Sequence, residues 1–281
     1  MNEMNEDMLY TDLACERRRA DLDCHGIEYR KERNINGVWE RIRIKSEAGA
    51  RAMGKPMGYY DSLHTVRLDR VNYEEIMGLT EELAGEICEM LEKVGAVGTN
   101  VLVVGLGNQG LTPDATGPDS ADKIRPTRHI AECDEGLFST LGCARLSVIK
   151  PGVESKSGIS SALAVLGIAR EIKPDLVIAI DSLMARGRER LGSTIQISST
   201  GICPGSGIGR SGGEISERTL GVPVIAIGVP TVIDSHSLCD EGTDKKKGEG
   251  LMMSPKEIGE IVKNAAEIIG GAINLSFGIF S

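Results

Sequence analysis

The sequence predicts an α/β fold: a mostly parallel sheet with helices on both faces, plus a small N-terminal strand region. Three observations carry this expectation. Asn100-Val101-Leu102-Val103-Val104 and Leu176-Val177-Ile178-Ala179-Ile180 are continuous apolar runs, the pattern of strands buried on both faces. Short apolar runs of this kind alternate with stretches of helical periodicity through the rest of the chain. With 35 glycines and only 3% aromatic residues among 281, the core must rest on Ile, Val, Leu and Ala.

Taken in order, residues 1–35 are polar and charge-rich and are expected to be loosely held. Residues 41–45 (RIRIK) and 65–68 (TVRL) alternate apolar and charged side chains between Gly and Pro, and read as short strands or a hairpin. Asn72 opens a helix with Glu75 as its capping-box partner, and Ile76, Leu79, Leu83, Ile87, Met90, Leu91 and Val94 recur at helical spacing. The strand at 100–104 runs into Gly105. RLSVIK (145–150) is a further strand, and 157–172 a helix stopped by Pro174. LVIAI ends at Asp181, and 194–197 and 223–227 are two more strands. A last helix starts at Ser254, with Ser254, Pro255 and Glu257 at N-cap, N1 and N3. The run DEGTDKKKGEG (240–250) reads as a mobile loop.

Composition excludes several functions. A net charge of -9 disfavours nucleic acid or an anionic membrane surface as partner. No apolar stretch reaches membrane-spanning length and the N-terminus has no signal-peptide core, so a soluble cytoplasmic protein is expected. Seven cysteines (15, 24, 88, 133, 143, 203, 239) form no CxxC pair; Cys88 and Cys143 lie in apolar runs, and buried free thiols in a reducing compartment are the plain reading. His25, His64, His129 and His236 show no metal-ligand spacing, and neither metal nor other cofactor is expected.

Gly105-Leu106-Gly107-Asn108-Gln109-Gly110 fits the dinucleotide fingerprint G-x-G-x-x-G directly after a buried strand. Pro113 and Pro118 follow where a pyrophosphate would need a helix to begin, so the motif alone argues weakly for a nucleotide. Asp114 lies in the same loop and Asp181 ends the LVIAID run. Each alone reads as a helix cap or turn residue. Together they sit at carboxyl ends of strands, where open α/β sheets place their ligands, and two converging carboxylates can share a proton as general base and acid. The Gly/Ser-rich stretch Ser198 to Gly209 offers backbone amides to a substrate groove, with Gly205 and Ser206 as candidates beside Gly105 and Asn108 of the first loop.

The segments VVGLGNQGLTPDATGP (103–118), AIDSLMAR (179–186), IQISSTGICPGSGIGR (195–210), GVPVIAIGVPTVID (221–234) and MSPKEI (253–258) resemble, in order, those of the germination protease family of endospore-forming bacteria. The resemblance runs from Tyr10 to near the end of the chain. It implies a fold similar to hydrogenase-maturation peptidases and a cytoplasmic endopeptidase of the spore core that starts the breakdown of small acid-soluble spore proteins. Further implications are a homotetramer and an aspartate pair that falls on Asp114 and Asp181. It also implies a zymogen that cuts itself at an acidic residue followed by an apolar residue and Ala. Thr11-Asp12-Leu13-Ala14 matches, dividing the chain into a propeptide (1–12) and a single peptidase domain (13–281), with the scissile bond between Asp12 and Leu13. Two departures stand out: Cys203 occupies a position that is His or polar in the family, and the segment between Asp234 and Ser254 is short. The competing readings are a hydrogenase-maturation-type peptidase guided by nickel on its partner, and a non-catalytic nucleotide binder.

Overall fold

The computed structural model describes residues 11–17, 26–205, 213–235 and 251–279. The elements are α1 (Ala14–Arg17), β1 (Ile27–Arg33), β2 (Val38–Ile44), α2 (Glu47–Met53), β3 (Gly58–His64), α3 (Tyr73–Val94), β4 (Asn100–Gly105), α4 (Thr116–Lys123), α5 (Arg128–Cys133) and α6 (Glu135–Leu141). They continue with β5 (Arg145–Ile149), α7 (Glu154–Ser157), α8 (Ser161–Ile172), β6 (Leu176–Ala185), β7 (Thr194–Ser198), α9 (Glu217–Leu220), β8 (Val224–Asp234), β9 (Met252–Met253) and α10 (Ile258–Ser276).

The strands form one sheet in the order β1-β2-β3-β7-β8-β6-β4-β5, with β9 paired to β8. The four strands β5, β4, β6 and β8 are mutually parallel, and β1, β2, β3 and β7 extend them as an antiparallel wing. The α/β class and the helices on both faces stand, whereas the sheet as a whole is mixed rather than mostly parallel. The wing is larger than its sequence signalled because its strands carry polar residues on buried positions. Alternate residues of the central strands serve opposite faces. Val101, Val103, Ile178, Ile180, Ile225 and Ile227 meet the core beneath α3 and α10, while Leu102, Val104, Val177, Ala179 and Val224 meet that beneath α8.

Several local expectations hold to the residue. Asn72 and Glu75 form the reciprocal capping box of α3, which ends on a left-handed Gly95. Others shift. The partners of β2 are β1 and β3, not residues 65–68, whose Leu68 begins a single 3-10 turn. Asp61 and Ser62 disguise β3 because they are polar yet buried; Asp61 is held by Arg41 (3.3 Å) and Lys93 (2.9 Å). The helix expected at 157–172 is two, broken by left-handed Gly158 and restarted on the Ser160 cap. The last helix begins at Ile258 with no side-chain cap, so Ser254 and Pro255 lie before it. Residues 11–17 and 27–33 are docked rather than loose: β1 is a charged edge strand, and such strands bury little and so look polar. Cys88 is exposed on the outer face of α3, one position from buried Ile87, and Cys203 is exposed too; Cys15 and Cys143 are half-buried. All the cysteines among the described residues are free thiols. The expected loop at 240–250 lies outside the described residues.

The pairing of β4 with β6 stops at Gly105 and Ile180, while β6 runs on beside β8 to Ala185. A split thus opens at Asp181, with β4 departing on one side. The loop after β4 returns through α4, whose Gly117 packs directly on the split: a Cβ there would meet Leu106 O at 2.2 Å and Ile180 O at 2.4 Å. Gly105 has the same explanation, since its Cβ would lie 2.5 Å from Gly117 O.

Candidate active site

Asp181 sits at the first position of β6 beyond the β4 pairing, inside the strand rather than at its end, so it caps no helix. Its side chain is buried, at 8% exposure, and Oδ1 accepts the Ser182 amide at 2.8 Å. The Ser182 hydroxyl donates to Thr116 Oγ1 (2.9 Å), which ties β6 to α4 beneath the carboxylate. Asp114 closes a 3-10 turn, Thr112–Asp114, in the loop between β4 and α4. Its Oδ2 accepts the Asn108 amide at 2.8 Å, and the Thr231 hydroxyl of β8 donates to Pro113 O at 2.6 Å, fastening the turn over the sheet.

Both carboxylates line one cleft of 1120 Å³ that also contains Asp12, Lys55, Gln196, Thr200 and Gly205. Burial raises the Asp181 carboxyl well above the ordinary range and the charge of Asp114 raises it further, against the lowering effect of the Ser182 amide. Burial likewise raises Asp114, opposed by the Asn108 amide. Both shifts run in the direction that favours keeping one proton on the pair, a state in which one carboxyl can accept a proton from water while the other donates to a leaving group.

The glycine loop is bonded to Asp114 and to itself. Asn108 N is bonded to Asp114, Gly110 N to Asn108 Oδ1 (3.0 Å) and Leu106 N to Ile180 O (2.8 Å), so these three amides are already engaged and an aspartate sits among them. Gly107 has φ 114°, and a Cβ there would lie 2.1 Å from Asp114 O. Gly107→Ala is therefore expected to displace the Asp114 turn, costing roughly 1–3 kcal/mol in backbone strain and more from the clash. Thermal denaturation and loss of peptidase activity in the same variant check this.

Of the loop candidates, Gly205 lines the cleft. Gly105 is a packing position and Asn108 orients Asp114 through its backbone, its side chain accepting from Lys156 Nζ at 2.7 Å. Ser206 lies outside the described residues.

Asp12 and Arg17 of the N-terminal segment line the cleft. Asp12 N donates to Met184 O and Met184 N to Asp12 Oδ2, each at 2.9 Å, on the margin of β6 that β4 has vacated. Leu13 is completely buried against Leu183 and Ala185, and Ala14 is completely buried in the core under β1–β3. Glu16 accepts the amides of Arg186 (2.8 Å) and Gly187 (2.7 Å), and Arg17 donates to Thr11 O at 2.8 Å. The sequence singled out Asp12 and Leu13 but neither Lys55 nor Gln196, which hold this segment from the turn after α2 and from β7. A lone lysine after a glycine and a glutamine within a strand carry no motif.

Cys15, Glu40 and His64 place ligand atoms within 4.8 Å of one another. Arg190 already bonds Glu40 (3.2 Å) and contacts His64, whose Nδ1 meets Thr194 Oγ1 at 2.9 Å. Burial pushes the Cys15 thiol up to about 12, so it stays protonated. The donor set is satisfied within the protein and fits a structural network better than a cation.

The sequence profile of the family Peptidase_A25, germination protease, matches residues 4–245. The germination protease of Caldanaerobacter subterraneus subsp. tengcongensis is 36% identical, over 95% of this chain and 93% of that one. The Clostridium tetani protein of the same description is 35% identical over 88% of this chain and 77% of its own. That of Priestia megaterium is 40% identical over 76% of this chain, and the matched part is 58% of its length. Among solved structures, the [NiFe] hydrogenase maturation protease HycI from Thermococcus kodakarensis KOD1 is 20% identical, with a TM-score of 0.35, over 66% of this chain and 98% of that one.

Proposed function

Because this chain belongs to the germination protease family, we propose that it is an endopeptidase that begins the degradation of small acid-soluble spore proteins at germination, made as a zymogen that removes its own residues 1–12. The observation that supports this reading above all others is the convergence of Asp114, Asp181 and Asp12 on one cleft. In the proposed reaction, the ionised member of the aspartate pair takes a proton from water and the protonated member delivers one to the departing amine. Cleavage then leaves a carboxylate at the acidic residue and a free amine on the apolar one. The described part of the peptide in the cleft illustrates how a substrate would lie: its acidic residue exchanges hydrogen bonds with Met184, and its next side chain fills an apolar pocket. A homotetramer and residence in the spore core belong to the same proposal and rest on family resemblance.

The test is mass spectrometry of a purified small acid-soluble spore protein after incubation with the chain starting at Leu13. One early cut between an acidic and an apolar residue followed by Ala is expected. An intact substrate overturns the reading. Light scattering on the same preparation measures the assembly.

A further inference from the structure

The carbonyl oxygen of Asp12 accepts two hydrogen bonds from side chains, Lys55 Nζ at 2.8 Å and Gln196 Nε2 at 3.3 Å. Both donors are pre-placed. Lys55 follows the left-handed Gly54 that ends α2, its own amide bonding back to Ala50 O at 3.2 Å, while Arg17 Nη1 grips Gly54 O at 3.0 Å. Gln196 Oε1 accepts the Ala14 amide at 2.8 Å, which turns its NH2 group toward Asp12 O. One glutamine therefore spans the bond that the proposed function cuts, reading the amide of the second residue beyond it and the carbonyl before it.

We infer that Lys55, assisted by Gln196, stabilises the oxyanion that forms on the Asp12 carbonyl during cleavage, an inference that rests on the reading of Asp12–Leu13 as a bond this chain hydrolyses. When water attacks, its oxygen bonds to the Asp12 carbonyl carbon, its proton passes to the ionised aspartate of the pair, and the carbonyl π electrons move onto oxygen. The neutral acceptor becomes an anion facing an ammonium, and the bond strengthens at the moment charge develops. Collapse restores the carbonyl, breaks the C–N bond, and the Leu13 nitrogen takes the proton held by the other aspartate. Neither donor changes its protonation in the cycle.

Burial lowers Lys55 to about 8, with Asp12 pulling it up, Arg17 pushing it down, and Cys203 and Cys15 as the other titratable groups facing it. The lysine is thus charged at neutral pH and discharges in mildly alkaline solution. Arginine at this position would keep its charge there.

The experiment follows the first-order appearance of the Leu13 N-terminus in full-length wild type, Lys55→Met, Lys55→Arg and Gln196→Met, from mildly acidic to alkaline pH, with circular dichroism on each. Lys55→Met is expected to slow conversion by ~10²–10³-fold, the usual loss for one oxyanion donor. Gln196→Met should slow it to a lesser degree. Lys55→Arg should retain part of the rate and lose the decline above about pH 8 that its wild-type lysine imposes. A purely structural lysine would leave that alkaline limb where it was, so an unmoved limb overturns the inference. So does wild-type conversion rate in folded Lys55→Met, or in folded Gln196→Met should the lysine variant fail to fold. A wild-type chain that never yields the Leu13 terminus sinks the self-cleavage reading and this inference together, which separates the two failures.

Discussion

Asp114→Asn and Asp181→Asn are each expected to lower peptidase activity by ~10³-fold or more, with the double variant little worse, because the two groups act as one proton-sharing unit. The fold should survive both changes. Burial and the neighbouring carboxylate raise Asp181, so the folded state binds its proton more tightly than the unfolded chain does. An acid shifted in that direction costs nothing at low pH, where both states are protonated, and destabilises progressively as pH rises from the unfolded carboxylate range through the folded value. Removing the charge lifts that cost. Asp181→Asn should therefore be at least as stable as wild type at neutral pH and lose the advantage in acid, while being inactive at both. Thermal melts across pH alongside peptide turnover read this combination. A folded variant with near-normal turnover would remove its aspartate from the mechanism.

The full-length chain is expected to be nearly inert toward added substrate, and the chain beginning at Leu13 active. The intact segment places Asp12 against Met184 and across the cleft that holds the aspartate pair, where a substrate's acidic residue would lie. A tethered occupant at an effective concentration of ~1 mM, binding in the ~10 μM range, suppresses turnover on the order of 10²-fold. The Leu13 and Ala14 side chains remain buried after cleavage only if the new terminus stays seated, so hydrogen exchange at the Ala14 amide also distinguishes release from retention. Self-conversion should quicken on mild acidification, because it moves the pair from doubly ionised toward the form with one shared proton. Asp114→Asn should leave Asp12–Leu13 uncut. N-terminal sequencing over a pH series checks both. New termini elsewhere, or full activity in the untrimmed chain, would refute the zymogen account without touching the peptidase assignment.

Sequence alone determined the elements whose apolar pattern is unambiguous. The runs at 100–104 and 176–180 are strands because continuous Val, Ile and Leu can be buried on both faces only in a covered sheet, and Asn72 starts α3 because its side chain and that of Glu75 satisfy each other's backbone amides. It also brought out Asp114 and Asp181, since strand ends in such sheets face the ligand crevice. Tertiary structure decided the rest. The antiparallel wing was hidden because its signal is non-local: Asp61 becomes a buried strand residue only with Arg41 and Lys93 beside it. Gly105 reads as half of a nucleotide motif until Gly117 is seen pressed against it. Lys55 and Gln196, 141 positions apart by their numbers, acquire a shared role only because β3 pairs with β7 and brings α2 and Gln196 to the same carbonyl. Periodicity records how each element divides core from solvent; it carries no information about which polar side chains from distant elements will point at one atom.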